Sequence, residues 1–166
     1  MPNRTSENDS PNEFRYSPVF QKRLSLLLRG DPRSNVEIAK DMGISKDVLI
    51  RAGNIGEIPS AKTLLKAANY LETPVEYLLG LIDEEYEIDI VSDFQTRLEE
   101  LKKRDSKKNG TIAAALGFSR NLFNAWKDKN YLPSVETIYL LSRYFNVSMD
   151  YLPGRTDTER FGKNTL

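Results

Sequence analysis

The sequence predicts an all-α protein built from two consecutive five-helix domains, and three observations carry that prediction. A segment of 61 residues, Phe20 to Gly80, recurs without a gap from Phe94 to Gly154. Apolar residues recur at helical spacing, and β-branched clusters are missing outside the short EIDIV stretch. Helix-capping residues fall at matching places in both copies. The repeat holds 18 identities at a constant offset of 74 residues, where shared composition would give about 4. Among them are Arg23/Arg97, Asn35/Asn109, Ala39/Ala113, Gly43/Gly117, Tyr77/Tyr151 and Gly80/Gly154. Two copies make a duplicated domain rather than a solenoid.

The first copy reads as follows. Ser17 caps a helix with Pro18 at its first position, and Phe20, Leu24 and Leu27 form its apolar stripe. Ser34 and Glu37 form a capping box that opens the second helix, which Gly43 ends in a left-handed turn. Ser45 then caps a third helix. Pro59-Ser60 starts the fourth, with Leu64, Ala67, Ala68 and Leu71 inward, and Thr73 to Glu76 is a second capping box before a last turn ending at Gly80. The second copy repeats these devices with Ser92 and Gln95, Gly117, Ser119, Pro133-Ser134, Ser148 and Gly154. The expected organisation is a disordered tail over 1–16, domains over 17–82 and 92–155, an acidic connector over 83–91, and a mobile tail over 156–166.

Composition excludes much. There is no cysteine and no histidine, which removes disulfides, thiolate metal sites and the commonest general base. No apolar run approaches the roughly 18 residues of a membrane span, and the polar N-terminus does not read as a secretory signal. A cytoplasmic, nucleoid-associated protein without cofactor is expected. The net charge of zero hides an uneven spread: residues 20–80 carry nine bases and seven acids, residues 94–154 ten and six, and the connector 81–93 six acids and no base. Screening confines an exposed charge to about 8 Å at physiological salt, so local sign decides whether a polyanion is attracted. The connector reads as a solvated linker, or else as an inhibitory segment that competes with phosphate. Tyr70, Tyr77, Tyr144 and Tyr151 read as core or interdomain packing residues.

Both copies contain N-x-x-x-A-x-x-x-G-[IF]-S, starting at Asn35 and Asn109, followed by a helix, Pro-Ser and a closing motif, YLETPVEYLLG or YFNVSMDYLPG. This pattern, over nearly all of residues 18–82 and 92–157, resembles the Cro-type, or xenobiotic-response-element, helix-turn-helix family of bacterial and phage regulators. The resemblance implies tandem lambda-repressor-like domains whose third helix enters the major groove while the second crosses the backbone. Departures from the family concern the reading helices. Asn35 and Asn109 replace the glutamine often found there; Trp126 keeps the aromatic that closes the third helix, whereas Ala52-Gly53 replaces it in the first copy and is expected to loosen that helix end.

On this resemblance the second copy reads DNA with Arg120, Asn121 and Asn124, flanked by Ala125 and Lys127, while Ser119 and Asn109 meet phosphate. Arginine bonds guanine bidentately and asparagine bonds adenine. The first copy offers Asn35, Ser45, Lys46, Asp47 and Arg51. It also puts Val48 and an exposed Ile50 where polar residues are usual, for contact with thymine methyls or with a protein. Lys107 and Lys108 are candidate phosphate contacts in a basic cluster with Lys102, Lys103 and Arg104 that also suits a helix C-terminus, and Arg33 is their weaker counterpart in the first copy. The function implied is a sequence-specific regulator of double-stranded DNA, a repressor of the kind carried by phages or mobile elements. It would act as an intramolecular pseudo-dimer or as a homodimer, under control of a partner protein. The rival reading is a protein-interaction module, an antitoxin or antirepressor. No constellation of residues suggests an enzyme.

Overall fold

Ser17 does cap the first helix: its hydroxyl accepts the Phe20 amide, and Pro18 occupies the first turn. In the computed structural model, which describes residues 14–127 and 131–160, the described regular structure is helical apart from one antiparallel bridge between Tyr16 and Glu57. The chain forms two units, Met1–Glu85 and Tyr86–Leu166.

The first unit contains α1 (Pro18–Leu28), α2 (Asn35–Met42), α3 (Lys46–Ile55), α4 (Ala61–Tyr70) and α5 (Val75–Leu78). The Ser34–Glu37 capping box is present, and Gly43, at φ 74°, turns the chain from α2 into α3. Ser45 stands at the N-cap of α3, but its side chain makes no capping bond. Helix α3 packs on α1 and α2, so α2, a three-residue turn and α3 form one rigid pair on the core. Phe20, Leu24, Ile38, Leu49, Leu64 and Leu78 fill that core. Leu71 is only half-buried.

The second unit contains α6 (Phe94–Arg104), α7 (Asn109–Leu116), α8 (Leu122–Ala125) and α9 (Val135–Phe145), around Phe94, Leu98, Ile112, Phe123, Leu141 and Leu152. The expected fifth helix is a turn here. In the first unit the amides of Leu78 and Leu79 bond back four residues, to Pro74 and Val75. Leu152 repeats the first of these bonds to Ser148, but Pro153 has no N–H to make the second. The first helix also starts later than expected. Asp93, not Ser92, is its cap, accepting from both the amide and the hydroxyl of Thr96.

The domain boundaries shift as well. Arg23 lies over the Tyr77 ring at 4.2 Å and donates to the carbonyls of Tyr77 and Ile82 and to Asp83. Arg97 lies over Tyr151 at 4.2 Å and donates to the Thr156 carbonyl and to Asp157. Asp83 and Asp157 are 74 residues apart, so the repeat runs past its expected end and takes in the first residue of the connector. Thr156 is buried, Asp157 and Glu159 are ion-paired, and the Ser148 amide bonds the Glu159 carbonyl. Residues 156–160 are therefore part of the second unit; 161–166 and 1–13 lie outside the described residues.

The connector is not a bare solvated linker either. Thr73 donates to Glu85 within the first unit. In the second unit Tyr86 donates to Asp150, and the amides of Asp89 and Val91 bond the carbonyls of Arg155 and Gly154. Asp150 is wholly buried and pairs with Arg155, itself 2% exposed. A buried pair of this kind is held by each partner's need for the other.

Candidate nucleic-acid interface

Two helix starts converge in the second unit. Gly117, at φ 72°, closes α7 and reverses the chain, so that residues 119–124 come back beside the first turn of α7. Lys108, Asn109, Gly110 and Thr111 from that turn, with Arg120, Asn121 and Asn124 from the α8 region, line an open cleft of about 650 Å³. Five sequence-predicted residues, Asn109, Lys108, Arg120, Asn121 and Asn124, thus share one concave surface, and it contains no acid. Arg120, Lys108 and Lys127 are exposed and make no ion pair among the described residues.

The helix start beneath this cleft is unusually open. Lys108 is the N-cap of α7, no side chain caps it, and no acid stands in its first turn. The first amides of a helix have no intrahelical acceptor and carry the positive end of its dipole. Two exposed cations, Lys108 and Arg120, stand beside it. Such a surface gains by taking up an anion. Asn109 adds a side-chain oxygen that is buried without a hydrogen-bond partner among the described residues.

Helix α8 departs from expectation. Ser119 does not cap a full helix; its hydroxyl accepts the Asn121 amide, and the amides of Leu122, Phe123 and Asn124 all bond back three residues rather than four. These tight turns leave only Leu122–Ala125 as α-helix. Trp126 anchors its end, with its ring centroid 4.6 Å from Phe123, 5.7 Å from Phe94 and 6.2 Å from Phe118.

The corresponding face of the first unit differs at nearly every position. Its third helix is the longer one: α3 runs through Gly53 to a left-handed Gly56, contrary to the loosening expected of Ala52-Gly53. Gln21 donates to the carbonyls of Gly53 and Asn54 and so holds the end that glycine weakens. Asn35, Ser45, Lys46 and Asp47 are exposed as expected. Ile50 and Val48 are half-buried, which corrects the exposed Ile50 of the sequence reading; the more exposed aliphatics are Val36 and Ile55. Arg51 is paired with Glu57 at 2.5 Å.

Arg33 is also committed elsewhere. Its guanidinium bonds Asp31, Asp41 and the Tyr70 hydroxyl, acceptors with which a phosphate would have to compete. Hydrogen bonds from the Arg33 side chain and backbone hold the Asp31 carboxyl down at about 2, and those to Asp31, Tyr70 and Asp41 push the guanidinium further up. In the basic run of the second unit, Arg104 pairs with Asp105 and Glu159, and Lys102 with Glu99. Lys107 lies 6.0 Å from the centre of the Tyr144 ring. Of that run, only Lys108 lines the cleft.

Sequence reasoning missed Gly110 and Thr111. A signal for Gly110 was present, because glycine inside a helix is costly unless something needs the space. Comparison with protein-family models, curated proteins and solved structures finds no match for the chain. No described helix is long and apolar enough to cross a membrane, and no group of described residues is suited to hold a metal ion.

Proposed function

We propose that the chain is a sequence-specific DNA-binding regulator, a repressor of the helix-turn-helix type, that reads the major groove with the second unit. The observation that carries this reading is the cleft between α7 and α8. There an uncapped helix start, Lys108 and Arg120 supply attraction for phosphate, while Arg120, Asn121 and Asn124 supply the planar donors and acceptors that distinguish base edges. A surface built only to be solvated has no need to leave helix amides and two cations open together.

The first unit contributes the same scaffold with a different face. Its Val36 and Ile55 are 55% and 54% exposed, and α2 opens on Glu37. These observations favour a protein partner there, either a second copy of the chain or a regulatory protein, over a second equivalent reading head.

The test is selection of bound sequences from random duplex DNA. The intact chain is expected to enrich one motif, and changing Arg120, Asn121 and Asn124 together to alanine is expected to erase it. Absence of any enriched motif with the intact chain would overturn the reading.

A further inference from the structure

Gly110 occupies the second position of α7, where only proline is a poorer helix former in general. Backbone conformation does not require it: the second unit's left-handed glycines are Gly117 and Gly154. What the missing side chain admits is Arg120. A β-carbon at position 110 would lie 3.2 Å from Nη2, 3.4 Å from Nε and 3.5 Å from Cζ of Arg120. Three near-equal distances seat that edge of the guanidinium over the bare Cα. Charge does not hold it there, since a helix start repels a cation and Arg120 has no ion pair among the described residues. Shape does. At the matching positions the first unit has Val36 and Lys46, a filled space and an ammonium that cannot bond bidentately.

We propose that Gly110 is a specificity-determining positioning residue: by withholding a side chain it seats the Arg120 guanidinium at the cleft in the orientation that reads guanine. The inference rests on the assignment of this face to DNA. An alanine methyl displaces the guanidinium by a few tenths of an ångström, inside the working tolerance of about 0.5 Å for a placed functional group, and the larger valine carries it beyond. The helix itself favours alanine over glycine. Gly110→Ala therefore raises the melting temperature with little loss of base selection, whereas Gly110→Val degrades base selection, a dependence on side-chain size that a purely structural glycine does not produce.

Two measurements on the intact chain and on Gly110→Ala, Gly110→Val and Arg120→Ala test this. Selection from random duplex DNA is expected to give a guanine preference at one position that Arg120→Ala erases. Gly110→Val should weaken it by about fivefold or more, the lower end of what one bidentate contact discriminates, and Gly110→Ala should weaken it by less. The other positions and the salt dependence should stay as they are. Relaxation of the Arg120 Nε–H without DNA is expected to show an ordered group in the intact chain and a freed one in Gly110→Val. An unchanged guanine preference in both Gly110 variants overturns the proposal, as does an Nε–H equally mobile in all forms. If the intact chain selects no motif, the DNA reading fails and the specificity role falls with it, while the relaxation result still reports whether Gly110 seats Arg120.

Discussion

The second helix of the first unit is closed at its start, and that of the second unit is open. In α2, Ser34 and Glu37 satisfy the first amides and place a negative charge at the positive end of the dipole. In α7 the same positions hold Lys108 and Thr111, with no capping bond. One fold with the same turn glycine at Gly43 and Gly117 thus serves two ends. The capped start of α2 is satisfied by its own side chains, and the open one leaves the first amides of α7 to solvent or an outside acceptor. On the proposed function, such a helix pair would be made ready for an anion by removing internal acceptors as much as by adding cations.

The largest test of this comparison concerns what holds the second unit together. Arg155 and Asp150 are a buried pair with no equivalent in the first unit, which has Leu81 and Glu76 there. Burial pulls the Arg155 pKa down while Asp150 holds it up. Replacing Arg155 by leucine leaves Asp150 buried without its guanidinium and should cost the second unit about 3–5 kcal/mol. Hydrogen exchange on the intact chain would show protection lost in α6 to α9 and kept in α1 to α5. Loss of protection in both units would contradict this prediction.

Next come the reading faces. Changing Arg120, Asn121 and Asn124 to alanine should weaken binding to the selected sequence by at least about 1–3 kcal/mol, the value of one bidentate contact. Changing Lys46, Ile50 and Arg51 to alanine should weaken it by less than about threefold, within the range of ordinary surface substitutions. Fluorescence anisotropy at fixed salt measures both. Smaller again is the phosphate term. Lys108→Ala should reduce the slope of log affinity against log salt by about 1, whereas Arg33→Ala should leave that slope as it is because Arg33 is spent on Asp31, Asp41 and Tyr70.

The smallest effect is a titration. Because the Arg33 bonds hold Asp31 down at about 2, this group's contribution to stability is complete above the ordinary carboxylate pKa of about 3.9 and is lost as the pH falls through 2. Carboxyl NMR should find Asp31 titrating near the acid limit in the intact chain and returning to about 3.9 in Arg33→Ala. A normal value in the intact chain would mean that Arg33 is not held and remains available to DNA.

Much of this was legible in the residues. The offset of 74, Ser17-Pro18, the Ser34–Glu37 box and Gly43 mark their elements directly, because each device is local and satisfied within a few residues. The Asp93 cap was missed because Ser92 offers an equally good side chain one position earlier, and what distinguishes them is how the chain enters α6. The fifth helix of the second unit failed for a local reason that sequence could have shown, the missing amide of Pro153. Tertiary bonds were out of reach. Gln21 rescuing the Gly53 end of α3, Arg23 and Arg97 extending the repeat to Asp83 and Asp157, and Arg33 tied down by Tyr70 all join residues that only the fold brings together. At the candidate interface, the residue types of the second unit pointed to Arg120, Asn121 and Asn124, but the space that Gly110 leaves for Arg120 appears only once α7 and α8 are side by side.

The most direct test exchanges the two faces. The second unit would receive the first unit's residues, as Lys108→Ser, Gly110→Val, Arg120→Lys, Asn121→Asp and Asn124→Ile, and the exchanged chain would be selected on random duplex DNA beside the intact one. An enriched motif with the intact chain and none with the exchanged chain is the predicted result. The same motif from both would place the reading elsewhere and contradict the account.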